Sequence, residues 1–446
     1  MSHRADWSGI TVSLALVFAF LAGPVIAQTV RLTAETAATR AVEASTLTDA
    51  AAERTAAARA SVASADAARL PQVSSAAAVA RRSSVPAFVL PIQLPGLGGL
   101  VLVPDITTTY AAGLRAQQAL FSGGAITEQR EAAHHDLDAS EAARVQTAAD
   151  LRLAGQLAYW DAVRSAASVD AAHAQEERAQ RLLMDTQALL DAGMAVEADL
   201  LAARERVATA HVQAINAAAN DAIALDQLRS LLGLAPTTEV ELADTLTASL
   251  PASPAPSAEL EQEALARRPE LRAAVAQIAA LAARARLAGA PARPSLGAVA
   301  QWDYDRPNQR YFPQLDEWKG SWSLGLVASW TLFDGGKSAA DSSATSAMER
   351  AAERDLAELR RRIAVEVLAD AQRLDSALAA VAAADTARAA AVERERAAHE
   401  RHAAGLANMS EILDAEAALA SAEQQQTDSR ASAWLAAATL ARAVGS

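Results

Sequence analysis

The 446-residue sequence has no cysteine, only 4 % aromatic residues, and no basic excess: 40 lysines and arginines stand against 53 aspartates and glutamates. Without cysteine there can be no disulfide framework, no thiolate–zinc site, no thiol catalysis and no lipid-modified N-terminal cysteine. The formal net charge of −13 argues against a nucleic-acid partner, whose phosphates need a basic footprint. Apolar residues reach 52 % despite the scarcity of rings, so alanine carries much of that count, which favours long, closely packed helices over an aromatic-rich globular core. Long apolar runs are also missing. Beyond residue 27 no stretch reaches the about 18 residues of a transmembrane helix, so any membrane crossing must use strands.

At the N-terminus, a 13-residue, mostly apolar run from Ile10 to Ala22 follows Arg4. Val25 and Ala27 then occupy the −3 and −1 positions of a signal peptidase site. Residues 1–27 read as a secretory signal peptide, with the mature chain starting near Gln28.

The remainder is a duplication. Leu120-Phe121-Ser122-Gly123-Gly124 matches Leu332-Phe333-Asp334-Gly335-Gly336 at an offset of 212 residues. The same offset relates Gly193 to Gly405, Leu228 to Leu440 and Gly233 to Gly445. Upstream, Leu70-Pro71-Gln72-Val73 resembles Arg293-Pro294-Ser295-Leu296 at an offset of 223, so the first half has an insertion. It falls in the proline- and glycine-rich apolar loop Val85 to Asp105. A Pro/Ser/Ala linker, residues 250–257, separates a first repeat at 28–249 from a second at 258–446.

Each repeat reads as a helix, two strands and two long helices. From Val196 to Leu231 an apolar stripe at alternating spacings of three and four is broken only by Asp221, which is coiled-coil periodicity. The second copy keeps Ile412, Ala415, Leu419, Ala422, Ala433, Ala436 and Leu440, interrupted by Gln426 and Ser429. The preceding helices run from about Ile126 to Leu190 and Ser338 to His402. At 1.5 Å per residue each spans roughly 100 Å, too long for a compact domain.

The strands alternate. Trp322, Leu324, Leu326, Ala328, Trp330 and Leu332 share one face of the segment Ser321–Phe333; Ser323, Ser329 and Thr331 share the other. Thr109–Phe121 and Leu296–Tyr304 carry similar apolar stripes, and Val73–Val79 a weaker one. Each has the length of a tilted transmembrane strand, and eight of the 17 aromatics cluster between Trp302 and Phe333, like an interfacial girdle. Trp322, Leu324, Leu326, Trp330 and Leu332 are expected to face lipid. Four strands cannot close a barrel, and lipid tolerates no open edge, so several chains are needed. Two chains would give a filled barrel; three would leave room for a pore.

With its duplicated halves, its Leu-Phe-x-Gly-Gly turns and the element Ala-Arg-Arg-Pro-Glu-Leu-Arg-Ala-Ala from Ala266 to Ala274, the mature chain resembles the TolC family of outer-membrane efflux and secretion ducts. The resemblance implies an α+β membrane protein: a homotrimer whose 12-stranded outer-membrane β-barrel continues into a long periplasmic 12-helix coiled-coil tube. It also implies a periplasmic adaptor and an inner-membrane transporter as partners, in a tripartite efflux pump or a type I secretion system. The sequence departs from the family at the tips: Arg401-His402-Ala403-Ala404-Gly405 has His for an aromatic residue, and Leu189-Leu190-Asp191-Ala192-Gly193 lacks the Arg.

Gly193 and Gly405 suit helix reversals. The resemblance places those turns deepest in the periplasm, making Ala192, Gly193, Met194 and Ala195, and Ala404, Gly405, Leu406 and Ala407, the adaptor-docking tips. Glu411 and Asp414, three apart, share a helix face. If that face lines the periplasmic constriction, as the resemblance implies, they form acidic rings of a gate; otherwise they are solvated acids, as Glu416 and Glu423 nearby suggest. Gly335-Gly336-Lys337-Ser338 resembles the end of a phosphate loop, but Thr331 stands where glycine is required, and Gly123-Gly124-Ala125 has no lysine. Tight strand-to-helix turns are the expectation at both glycine pairs. His134-His135 and His399/His402 lack further ligands at metal-binding spacing. No catalytic set, metal site or cofactor is expected. The alternatives are a periplasmic adaptor-like coiled-coil protein and a soluble periplasmic enzyme; two hairpins with four amphipathic strands disfavour the first, and the lack of a catalytic constellation the second.

Overall fold

The computed structural model describes residues 29–90, 100–247 and 249–445. The signal-peptide expectation falls outside the described residues. The first repeat contains β1 (Val30–Leu32), α1 (Ala34–Ala44), α2 (Thr46–Ala67), β2 (Gln72–Arg81), β3 (Phe88–Leu90), β4 (Leu100–Val103), β5 (Thr108–Phe121), α3 (Ala125–Asp191), α4 (Glu197–Leu231) and β6 (Val240–Leu242). The second contains α5 (Ser257–Arg267), α6 (Pro269–Gly289), β7 (Ser295–Arg306), β8 (Lys319–Ser329), α7 (Lys337–Ala403) and α8 (Met409–Val444).

The main sheet is antiparallel with order β2-β5-β7-β8, so its centre joins one strand from each repeat. Pairing sets the faces. Tyr110 lies opposite Val79, Leu114 opposite Trp302, Ala300 opposite Leu324 and Trp302 opposite Trp322, all on one apolar face. The other face carries Arg115, Gln301, Asp303, Ser321 and Ser323. The apolar face is uncovered in the single chain, with Trp322, Leu324 and Leu326 all about 70 % exposed. β8 is shorter than the alternation suggests. Its ladder ends at Ser329 opposite Ser295, where β7 begins, so Trp330 and Leu332 lie past the last pair. Trp330 instead donates its indole N–H to the Ala292 carbonyl at 3.1 Å. Within the apolar insertion, β3 and β4 pair as an antiparallel ribbon that periodicity did not reveal.

Below the sheet, α3 and α4 form one hairpin, α7 and α8 the other, and α8 also packs on α3. The side-by-side order is α4-α3-α8-α7. On α4 the expected seam is buried at Leu200, Ala203, Ala210, Ala214, Ala224 and Leu228. Asp221 interrupts that seam without penalty because it accepts a 2.8 Å hydrogen bond from Ser165.

Midway along the helices a collar forms around Leu32, Tyr159, Trp160, Leu228 and Leu232. Tyr159 is fully buried; its hydroxyl donates to the Asp244 carboxylate at 2.8 Å and accepts the Asp244 amide at 3.0 Å. Burial pushes the Tyr159 hydroxyl pKa up. Trp160 stacks on Trp434 at 4.5 Å, joining the repeats. Gly155 lets α1 approach α3: a Cβ there would sit 2.8 Å from the Ala37 carbonyl and 2.9 Å from the Ala41 Cβ. The Gly155→Val variant should therefore lose about 1–3 kcal/mol and free α1. Limited proteolysis within Ala34–Ala44 tests it; equal protection of variant and wild type would refute the close packing.

Candidate functional site: turns, tips and the acidic face

The two glycine pairs sit at strand-to-helix turns, with φ of +63° and +95° at Gly123 and Gly124, and +69° and +86° at Gly335 and Gly336. Asp334 accepts the Gly336 and Ser338 amides at 2.9 and 2.8 Å, so it caps α7. These bonds and the Ser338 hydroxyl hold its carboxyl below the usual carboxylate range. Lys337 pairs with Asp341 at 2.5 Å. The Gly-Gly-Lys-Ser string is thus a helix start tied to its own first turn.

At the far end, the helix reversals repeat in detail. Gly193 and Gly405 each have φ +73°. In the first, the Gly193 amide donates to Leu190 at 2.9 Å and the Met194 amide to Leu189 at 2.8 Å. In the second, Gly405 donates to His402 and Leu406 to Arg401 at the same two distances. Both are left-handed glycine caps that satisfy the last carbonyls of the incoming helix. Met194 and Leu406 project, 72 % and 71 % exposed, and nothing lies within 4 Å of a Cβ built on either glycine.

The tips differ in polar ties. In the second, Arg401 pairs with Glu411 at 2.5 Å and the His402 ring bonds the Ala407 carbonyl at 3.0 Å. Leu189 and Leu190 supply no such groups to the first. Glu411 and Asp414 do share one side of α8, but their states differ. Glu411 is neutralised by Arg401, whereas Asp414 is exposed and has no ionic partner among the described residues.

Glu416 and Glu423 are not the solvated acids the sequence suggests. Glu416 is 4 % exposed, 3.5 Å from Arg206 of α4 and 3.8 Å from His399 of α7. Glu423 is largely buried and pairs with Arg178 of α3 at 2.6 Å. The signal for this was their seven-residue spacing, which marks a second buried row on α8. Burial raises the Glu416 carboxyl above its ordinary value of 4.5, against the pull of Arg206 and His399. The folded chain then binds more protons than the unfolded chain above pH 4.5. Stability from this group is fullest below that value and falls as pH rises through the raised folded pKa. Glu416→Gln should flatten that part of the stability–pH profile, followed by chemical denaturation from pH 4.5 towards neutrality. An unaltered slope would mean Glu416 is solvated.

The chain thus joins a sheet with one apolar and one polar face to two hairpins, each pairing a 67-residue helix of roughly 100 Å with one about half as long. The chain belongs to the outer membrane efflux protein family, whose sequence model matches residues 40–234 and 260–446. The outer-membrane channel OprN superposes with a TM-score of 0.75 at 22 % identity, over 92 % of this chain and 89 % of that one. CusC gives 0.78 at 19 % identity, covering 92 % of each chain. The outer membrane protein VceC of Vibrio cholerae gives 0.74 at 18 %, covering 92 % and 96 %. Among curated proteins, sequence comparison finds no match.

Proposed function

We propose that this chain is the outer-membrane exit duct of a tripartite efflux pump, a homotrimer receiving substrates from a periplasmic adaptor and an inner-membrane transporter. Residues 1–27 direct it across the inner membrane and are removed, and it is not a lipoprotein. The observation that carries this reading is the incomplete pseudo-symmetry of the chain. The α3–α8 contact within the chain calls for a matching α7–α4 contact, which a single chain lacks. The outer face of α4 accordingly leaves Leu201, Val212, Ile215 and Ile223 more than half exposed. The sheet likewise ends in unpaired β2 and β8. A neighbouring copy would meet both needs, and three copies close a 12-stranded barrel wide enough for a pore. Purified protein should run as a trimer and open ion-conducting pores in planar bilayers. A monodisperse monomer without conductance would overturn the proposal.

The glycine tips serve as adaptor-docking points, because their backbones are open and Met194 and Leu406 project beside them. Gly193→Trp with Gly405→Trp should abolish export while trimers still reach the outer membrane; persisting export would remove the tips from docking. Asp414 supplies the effective acidic ring of the periplasmic gate, with Glu411 held in reserve by Arg401. Like charges in a narrow throat attract cations and exclude anions. Asp414→Asn should weaken cation selectivity more than Glu411→Gln does. Reversal potentials in a salt gradient measure this, and unchanged selectivity in both variants would put the pair outside the pore.

A further inference from the structure

We propose that β8 is finished by a second copy of this chain. Residues 330–333 extend the strand by pairing with the open edge of the neighbour's β2, in a register that sets Leu326 against Val79, Ala328 against Ala77 and Trp330 against Ser75. That a neighbour exists rests on the oligomer reading above; which residues meet follows from the duplication.

The two offsets of the duplication, 223 residues for the first strand of each repeat and 212 for the second, carry the β2–β5 ladder onto the β7–β8 ladder without a slip. Val73 opposite Ala116 becomes Leu296 opposite Ala328, and Val79 opposite Tyr110 becomes Trp302 opposite Trp322. The two ladders also end at equivalent pairs, Gln72–Gln117 and Ser295–Ser329. Past that end the repeats diverge. β5 continues to Phe121 because β7 pairs with its other edge, at Gln118–Ala298, Ala119–Gly297 and, after a bulge, Phe121–Leu296. β8 has β7 on one edge and no strand on the other, so it stops at Ser329.

The chain beyond Ser329 is nevertheless held as a strand would be. The Trp330 indole N–H donates to the Ala292 carbonyl at 3.1 Å, and at the equivalent positions the Gln118 side-chain amide donates to the Arg69 carbonyl at 3.2 Å. What separates residues 330–333 from residues 118–121 is the missing ladder on one edge. Trp330, Leu332 and Phe333 are accordingly left exposed.

The same offsets turn the β5–β7 ladder into a seam between copies. Leu114–Trp302 becomes Leu326–Val79, Ala116–Ala300 becomes Ala328–Ala77, Gln118–Ala298 becomes Trp330–Ser75, and Phe121–Leu296 becomes Phe333–Val73, with the bulge at Leu332. β2 and β8 run in opposite directions across the sheet, so the seam is antiparallel like the ladders inside it. Every pair also keeps its face: Ser75, Ala77 and Val79 share the apolar face of β2, as Leu326, Ala328 and Trp330 share that of β8. A slip of one residue would turn Leu326 and Trp330 to the polar side. Lipid leaves no water for an unpaired backbone, so the ladder is needed over the whole membrane-facing length.

Because the chain has no cysteine, a pair of introduced thiols reports a single contact. Directly opposed residues have Cα atoms about 4.5–5.5 Å apart, within disulfide reach, and a slip of two residues adds about 7 Å along the strand, which is beyond it. On oxidation, full-length protein with Ala77→Cys and Ala328→Cys should form covalent oligomers at least about fivefold more than Ala77→Cys with Leu326→Cys, or Val79→Cys with Ala328→Cys, the pairs that report slips in either direction. A slipped pair that links equally well overturns the register. If native mass spectrometry finds an oligomer that links through none of the pairs, the seam is overturned and the oligomer stands; a monomer removes both. Hydrogen exchange on the unmodified protein reads the same seam without substitutions. Residues 330–333 should be as protected as residues 118–121, and exchange at the rate of an exposed loop would overturn the completion of β8.

Discussion

Leu324→Arg should prevent the protein from accumulating as an assembled species in the outer membrane, while Ser323→Arg, one residue away, should not. The two side chains occupy opposite faces of β8. Leu324 lies opposite Ala300 and beside Trp322 and Leu326 on the apolar face; Ser323 lies opposite Gln301 on the polar face. Near the bilayer midplane an arginine facing lipid costs about 2–4 kcal/mol, and a trimer would carry three. An arginine facing a wet lumen keeps its hydration, and long side chains can bend towards water. The measurement is the fraction of heat-dissociable oligomer in outer-membrane preparations, with conductance for the Ser323 variant, whose pore should be altered but present. Equal assembly of the two variants would mean that the faces have been assigned wrongly, or that the sheet meets no lipid.

Arg268→Ala should lower stability by about 3 kcal/mol, although Arg268 is remote from both the sheet and the tips. Its side chain is 4 % exposed. The guanidinium donates Nη1 and Nη2 to the two oxygens of Glu366 at 2.9 and 2.5 Å, and Nε to the Ala443 carbonyl at 2.7 Å. One residue thereby joins the α5–α6 junction to the middle of α7 and to the last turn of α8. Its position is set locally. Pro269 opens α6 at its first turn and keeps Arg268 extended, at φ −61° and ψ 124°. Removing the guanidinium leaves a buried carbonyl unpaired and a void at the helix end; Glu366 is half exposed and can rehydrate, which limits the loss. Arg268→Lys should recover only part of it, since an ammonium cannot form the bidentate fork. Chemical denaturation followed by far-UV circular dichroism reads the difference. If Arg268→Ala unfolds at the wild-type midpoint, the three-way tie carries no stability.

Much of the architecture was legible without coordinates because it is periodic or local. The two 67-residue helices end within one residue of the positions expected from unbroken helical composition and flanking glycines. Among the described residues, all eight positive-φ glycines fall into pairs 212 residues apart, so the repeat in sequence is a repeat in backbone conformation. Left-handed turns need glycine whatever surrounds them, and that requirement is written residue by residue. The alternation in the strands is likewise a local consequence of the pleat.

Tertiary structure alone decided where equivalent residues stop being equivalent. α4 and α8 share a seam by duplication, yet α8 lies between α7 and α3 and buries a second row, including Glu416, Ala431 and Ala438, whereas α4 packs chiefly on α3. A heptad pattern describes one contact face, so acids on the second face read as solvated until the neighbouring helix is in place. The end of β8 was hidden for a related reason: apolar alternation continues through Trp330 and Leu332, but the ladder stops where β7 has no residue left to pair. Arg268 and Glu366 are 98 residues apart, and Arg442 and Asp150 are 292 apart. Composition and spacing determined the elements and their turns; the partners of buried charges depended on which helices the fold brought side by side, because a charge is buried or solvated by its neighbours in space and not by its neighbours in the chain.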